Sequence, residues 1–212
     1  PNIIENEDNL SKTLLLIEEN MFGSGIANYR KQTSKRYVSS VFQGMYKKEI
    51  FDKIGLLDEK VGRVEDNELH YRIRKNGYKI RYSNNILSYQ YTRPTVNRML
   101  KQKYSNGYWI GKVSHIYPKA FSIFHFVPFV FVLGIIFSLL MLPLTKLFVV
   151  LLAVAYGLFT ILVTLMTIIN NKFNVTMLLI PILLFLVHFS YGLGTLVGLV
   201  KGFSWKKEYY KQ

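Results

Sequence analysis

Three apolar stretches set the limits on what this chain can become. They run from Phe121 to Leu142, from Leu147 to Ile169 and from Met177 to Val200. Each meets the roughly 20 apolar residues that a hydrocarbon core asks of a helix. Lys146 and Lys172 are the only formal charges between residues 121 and 200. Backbone polar groups in lipid must be satisfied within the segment itself, so each stretch is expected as a spanning helix. The connections Pro143–Lys146 and Asn170–Thr176 are short, so neighbouring spans should form antiparallel hairpins. Pro128 and Pro181 are expected to kink their helices. Gly192, Gly194 and Gly198 place small residues on one side of the third span, which suits close helix packing. His125 and His188 read first as packing or interfacial polar residues.

The first 120 residues are of a different kind. They carry 21 Lys and Arg against 12 Asp and Glu, whereas residues 121–212 carry six against one. A basic polar part therefore precedes a membrane part. By charge, the front part belongs in the cytoplasm. Three crossings would then put the C-terminus outside, yet Lys201, Lys206, Lys207 and Lys211 resemble an inside tail. Cysteine is absent, which excludes disulfides and thiolate metal sites.

Between 69 and 120 there are eleven Lys or Arg and no Asp or Glu, with Tyr104, Tyr108, Trp109 and Tyr117 among them. Such a surface could bind nucleic acid or lie on an anionic bilayer. The apolar run that begins at 121 favours the bilayer, with the aromatic rings as interfacial anchors and no nucleic-acid partner. Val96, Met99, Leu100 and Lys103 recur at helical spacing. Further forward, residues 9–21 suggest a helix capped by Asn9 or Ser11, and Lys47 to Ile54 a second one ended at Gly55. Tyr37–Phe42, Tyr78–Tyr82 and Ile86–Tyr91 alternate as short strands. The Gly-rich turn Phe22–Gly25 lacks the Gly-Lys-Ser/Thr that a phosphate loop needs.

The most pointed stretch is Val64 to Ile80. Glu65, Asp66 and Glu68 crowd the start of a helix, and Arg72, Arg74 and Lys75 crowd its end. That order suits the helix macrodipole and is ordinary helix design. Gly77 is placed to stop the helix in a left-handed conformation.

The stretch gains meaning from its neighbours. Tyr37 to Gly44 is followed by Tyr46-Lys47-Lys48-Glu49-Ile50-Phe51-Asp52-Lys53-Ile54-Gly55-Leu56-Leu57-Asp58-Glu59. Then come Val64-Glu65-Asp66-Asn67-Glu68-Leu69 and Tyr71-Arg72-Ile73-Arg74-Lys75-Asn76-Gly77-Tyr78-Lys79-Ile80, and later Arg93-Pro94 and Gly107-Tyr108-Trp109. This order resembles the C-terminal half of family 2 glycosyltransferases, the inverting enzymes of the GT-A fold. Among them it looks most like the membrane enzymes of bacterial exopolysaccharide assembly, of the succinoglycan type. The resemblance covers residues 9–112 for the catalytic part and 113–212 more loosely.

The resemblance implies an α/β fold: a partial GT-A (Rossmann-like) domain followed by an α-helical transmembrane region. Residues 1–93 would be the C-terminal half of the catalytic domain, 94–120 an interfacial amphipathic segment, and 121–212 three transmembrane helices and a basic tail. An inverting transferase needs one general base beside the acceptor hydroxyl, and the resemblance assigns it to Asp66. Glu65 and Glu68 would orient that base or contact the acceptor. Gln43, Gly44 and Tyr46 would border the acceptor pocket. Gln102 and Trp109 resemble, imperfectly, the Gln-x-x-Arg-Trp motif of processive members. The Arg is missing and the spacing is longer, which favours addition of single sugars.

The family binds its nucleotide-sugar donor through N-terminal strands and an Asp-x-Asp metal motif, and this sequence has neither. The chain is therefore expected to be part of a longer enzyme. Mg²⁺ or Mn²⁺ would serve the full-length parent, with no metal site in these residues. The expected partners are a nucleotide sugar, a lipid-linked acceptor and membrane lipids. The expected place is a bacterial inner membrane, with the catalytic part cytoplasmic and these residues inactive alone. Two other readings stand beside this one: a polyprenyl-phosphate glycosyltransferase, and a non-enzymatic membrane scaffold with a basic cytoplasmic module.

Overall fold

The computed structural model describes residues 2–4, 8–23, 37–41, 43–83, 85–86 and 89–211. The expectations for Ser24, Gly25 and Phe42 fall outside the described residues. The chain runs β1 (Asn2–Ile3), α1 (Asn9–Glu19), β2 (Tyr37–Val38), α2 (Lys48–Ile54), α3 (Glu65–Lys75), β3 (Ile80–Arg81) and β4 (Gln90–Tyr91). It continues through α4 (Val96–Val113), α5 (Val127–Met141), α6 (Leu147–Asn170) and α7 (Ile180–Tyr209).

The fold is mostly helical, at 68%. Where an α/β domain was expected, the described residues hold two separate two-residue pairings. β1 pairs with β4 in parallel, and β2 with β3 antiparallel. Each ribbon is two strands wide, and isolated two-stranded ribbons are marginal. The strands are accordingly shorter than the alternation in the sequence suggests.

The caps explain several boundaries. α1 is capped by Asp8 rather than Asn9 or Ser11; its carboxylate accepts from the Ser11 backbone N–H at 2.9 Å and from the Ser11 hydroxyl at 2.7 Å. Gly77 has φ +80° just beyond α3, and Gly55 has φ +81° at the end of α2. Pro128 and Pro181 do not kink anything. Each lies in the first turn of its helix, where a missing N–H breaks no intrahelical bond. Ser122 and His125 form a capping box over the turn Ile123–Phe126, so α5 begins later than the apolar run does. α7 continues past Val200 to Tyr209.

α7 is the axis of the molecule. α4 runs parallel to it, because the contact numbers rise together along both helices. Gly107 lies against Tyr191 and Thr195, and Gly111 against Thr195 and Leu199. From the other side, Gly194 meets the Tyr104 carbonyl and Gly198 the Tyr108 carbonyl. Four glycines thus bring two backbones together, as the small-residue stripe on α7 foretold. α5 closes on the same axis at Gly192, where a Cβ would stand 2.1 Å from the Pro128 carbonyl. The helical stretches Ile123–Met141, Leu147–Asn170 and Val175–Tyr209 are long and apolar enough to cross a membrane, and they bury little of their surface. Leu140, Leu158, Leu162 and Met166 point outward, as lipid-facing side chains do.

The base of α7 packs with Leu14 and Ile17 of α1 and Met99 of α4. There Lys103 and Glu18, both buried, pair at 2.6 Å. At the far end of α7, Tyr209 donates its hydroxyl hydrogen bond to Asp58. The Tyr117 hydroxyl lies 2.8 Å from that of Tyr209. The basic tail therefore meets the segment that leads into α3, a contact that charge counting left open.

Candidate active site

α3 forms because its apolar face has a core to fill and its charges suit its ends. Leu69, Ile73 and Ile80 are buried together against Val38, Ile50 and Phe51. Val64, the N-cap residue, offers no side-chain cap, so the acidic first turn answers the positive end of the macrodipole.

The three carboxylates of that turn have different surroundings. Glu68 is fully buried and grips Arg72, with Arg72 Nε at 2.5 Å and the second guanidinium nitrogen at 2.8 Å. Arg72 also donates to the carbonyls of Ile54, Gly55 and Leu56 at 2.6, 3.1 and 2.8 Å. This bidentate pair ties α3 to the turn after α2 and leaves both Glu68 oxygens engaged. Asp66 and Glu65 are half-buried. Among the described residues, the buried Oε2 of Glu65 accepts no hydrogen bond. Burial, and then the charge of Glu65, push the Asp66 carboxyl above its ordinary range.

Tyr46 leans over this face. Its hydroxyl lies 2.7 Å from His70 Nε2, and His70 Nδ1 lies 2.9 Å from the Ser40 hydroxyl. Burial and then the Asp66 charge push the Tyr46 hydroxyl up to about 12. Gln43 adopts φ +52°, and a Cβ on Gly44 would come within 2.8 Å of the Tyr46 hydroxyl. A left-handed non-glycine residue costs of order 1–3 kcal/mol and tends to persist where function requires the geometry. Gly44 thus lies against Tyr46, which feels the charge of Asp66, and Gln43 beside them is exposed. Glu68 lies on another side of the helix, engaged by Arg72.

The two residues on α4 separate. Trp109 packs its ring on the backbone of Gly62, where a Cβ would sit 2.4 Å from it. Its neighbours Ile110 and Val113 bury Val61 and Val64, the residues immediately before α3. Arg63 adds a hydrogen bond from Nε to the Asn106 side chain at 2.5 Å. The Lys112 ammonium lies between two indoles, 4.7 Å from the Trp109 ring and 4.8 Å from that of Trp205. Trp109 is thus linked to Asp66 through the 61–64 segment. Gln102, half-buried two turns earlier, has no hydrogen bond to this group among the described residues.

Glu68 is engaged by Arg72, and among the described residues no three His, Asp or Glu side chains could hold one metal together.

Sequence reading missed His70, Ser40 and Arg72. His70 was legible only as the residue one turn after Asp66, since i and i+4 share a helix face. It is fully buried, and burial, then the Arg74 charge, lower its pKa to about 4. Between that value and the ordinary 6.5 the unfolded chain binds the additional proton, so stability is full above pH 6.5 and lost as pH falls towards 4. The loss is on the order of 3 kcal/mol, at about 1.4 kcal/mol per unit. Denaturant unfolding of the front part in micelles at pH 7 and pH 4.5 should show this loss, and His70→Gln should reduce it. An equal loss in the variant would assign the acid sensitivity elsewhere.

No family model matches the chain, and no solved structure matches it. It is 30% identical over 169 residues to a protein of Methanococcus voltae, dolichyl N-acetyl-alpha-D-glucosaminyl phosphate 3-beta-D-2,3-diacetamido-2,3-dideoxy-beta-D-glucuronosyltransferase. The match covers 79% of this chain and 49% of the relative, so the chain spans about half the length of the curated relative it matches. The chain is thus similar to a glycosyltransferase and carries three helices able to cross a bilayer.

Proposed function

We propose that these residues form the acceptor side of a membrane glycosyltransferase, one that transfers a sugar from a nucleotide-sugar donor to a lipid-linked saccharide. The observation that carries this reading is the half-buried Asp66. It stands under Tyr46 and beside Glu65, on a segment packed directly against a helix of the membrane part. The similarity to a transferase whose name gives a dolichyl-phosphate-linked sugar supports the lipid-linked acceptor.

In this reading Asp66 takes the proton of the acceptor hydroxyl as its oxygen attacks the anomeric carbon, and the nucleotide leaves from the opposite face with inversion. A raised carboxylate pKa makes a stronger base. Trp109 and α4 hold the segment that carries the base against α7. Exopolysaccharide or another glycan lipid is the product class. Donor and Mg²⁺ or Mn²⁺ binding belong to residues outside this chain.

The test is transfer of radiolabelled sugar by membranes containing the enzyme that includes these residues. Polyprenyl-phosphate-linked saccharides, bare polyprenyl phosphate and free saccharides are offered in turn. Label should enter the lipid-linked saccharide. Label entering bare polyprenyl phosphate instead would establish the polyprenyl-phosphate transferase reading, and no transfer to any acceptor would favour a scaffold. The same assay reads the pair of carboxylates. Glu65→Gln removes a negative charge beside Asp66, so its pKa falls and the acidic limb of kcat/KM moves to lower pH. An unmoved limb would separate Glu65 from the titrating base.

A further inference from the structure

Ser40, His70 and Tyr46 form a hydrogen-bonded chain on α3, whose His70 stands one turn after Asp66. The two contacts to His70 are 2.9 Å at Nδ1 and 2.7 Å at Nε2. The ring is fully buried, so neither nitrogen has water as an alternative partner. A neutral imidazole has one N–H and one lone pair. One of its two neighbours must therefore donate to the ring and the other must accept from it.

The two arrangements differ at Tyr46. If Tyr46 donates to Nε2, its hydroxyl turns only lone pairs towards the Asp66 side, acceptor facing carboxylate. If Ser40 donates to Nδ1, then Nε2–H donates to the Tyr46 oxygen, and the Tyr46 proton is released to that side. Asp66 and His70 are one turn apart on α3, so a hydroxyl seated on the His70 ring overhangs the Asp66 turn. Gly44 leaves the hydroxyl its room, since a Cβ there would stand 2.8 Å from it. The acidic turn favours the second arrangement, because a proton facing a carboxylate is attracted and a lone pair is repelled.

We infer that His70 is a positioning residue, held by Ser40 as the Nε2–H tautomer, which turns the Tyr46 hydroxyl proton towards Asp66 and the acceptor hydroxyl bound there. Tyr46 is thereby a donor in the acceptor site, and the ring behind it fixes its direction. This deepens the reading of Asp66 as base and rests on it. The His70 tautomer itself can be tested without catalysis.

The first experiment uses the 212-residue chain, ¹⁵N-labelled at histidine, in lipid nanodiscs at pH 7. The His70 signals are assigned by their loss in His70→Gln. A protonated Nε2 with an unprotonated Nδ1 is expected. A protonated Nδ1 with a bare Nε2, or a doubly protonated ring, would overturn the inference. The second experiment reads Tyr46 in the active enzyme that includes these residues. If Tyr46 turns its proton towards the Asp66 carboxylate as inferred, Tyr46→Phe should move the acidic limb of kcat/KM up by about one pH unit. His70→Gln keeps an N–H for Tyr46 and should keep the limb in place, whereas His70→Leu should move it as Tyr46→Phe does. A limb unmoved in Tyr46→Phe would overturn the role given to Tyr46. If Asp66→Asn retained near wild-type rate, the base assignment would fail while the tautomer result still stood.

Discussion

Asp66→Asn is expected to lower sugar transfer by a factor of 10² to 10⁴, the usual cost of losing a general base. The substitution keeps size and polarity, and Asp66 is half-buried at the start of α3 rather than part of its core. Expression and unfolding midpoint should therefore change little. The loss should fall on kcat and kcat/KM together, because the proton is taken only in the transition state. Steady-state kinetics with a lipid-linked acceptor, on protein whose fold is checked by denaturation, measures this. A variant with near wild-type kcat would remove Asp66 from the chemistry.

Gly198→Val should be the most disruptive single change in the membrane part. A Cβ at position 198 would stand 2.0 Å from the Tyr108 carbonyl and 3.0 Å from the Lys112 nitrogen. Those atoms are backbone, so no rotamer change relieves the clash and the two helices must separate. Overpacking of this kind costs typically 1–3 kcal/mol, and a backbone-to-backbone clash should lie at or above the upper end. The separation should also loosen Val61 and Val64, which rest on the C-terminal half of α4. Gly157→Ala on α6 is the control, since nothing lies within 4 Å of the position where its Cβ would go. It should be neutral or stabilising by up to about 1 kcal/mol through helix propensity. Thermal unfolding in the same micelles compares the two. Equal effects would mean that α4 and α7 do not pack as described.

The parts legible in the sequence were those set by local chemistry. α3 was legible because acidic and basic residues mark its two ends and Gly77 marks its stop. The three long helices and the glycine stripe of α7 were legible because lipid demands a fixed apolar length and close packing demands small residues. The misread features depend on partners far away in sequence. His70 meets Ser40 and Tyr46, 30 and 24 residues earlier. Arg72 binds carbonyls 16 to 18 residues earlier, and no side-chain pattern reveals a bond to a backbone. Pro128 and Pro181 were read as kinks because the apolar runs begin before the helices do. The start of each helix is set by a turn, Ile123–Phe126 or Val175–Leu179, that hydropathy does not show. The α/β expectation rested on resemblance, and the short strands at Tyr37, Ile80 and Gln90 each find a single neighbour.

The acceptor assignment can be tested directly on the 212-residue chain in bilayers. A polyprenyl-phosphate-linked saccharide carrying a diazirine on its sugar is added and irradiated, and the labelled peptides are mapped by mass spectrometry. Label is expected on Gln43–Tyr46 and Glu65–Asp66, suppressed by excess unlabelled lipid-linked saccharide and not by the free sugar. Label confined to the faces of α5 and α6, or unaffected by the competitor, would contradict an acceptor site at Asp66.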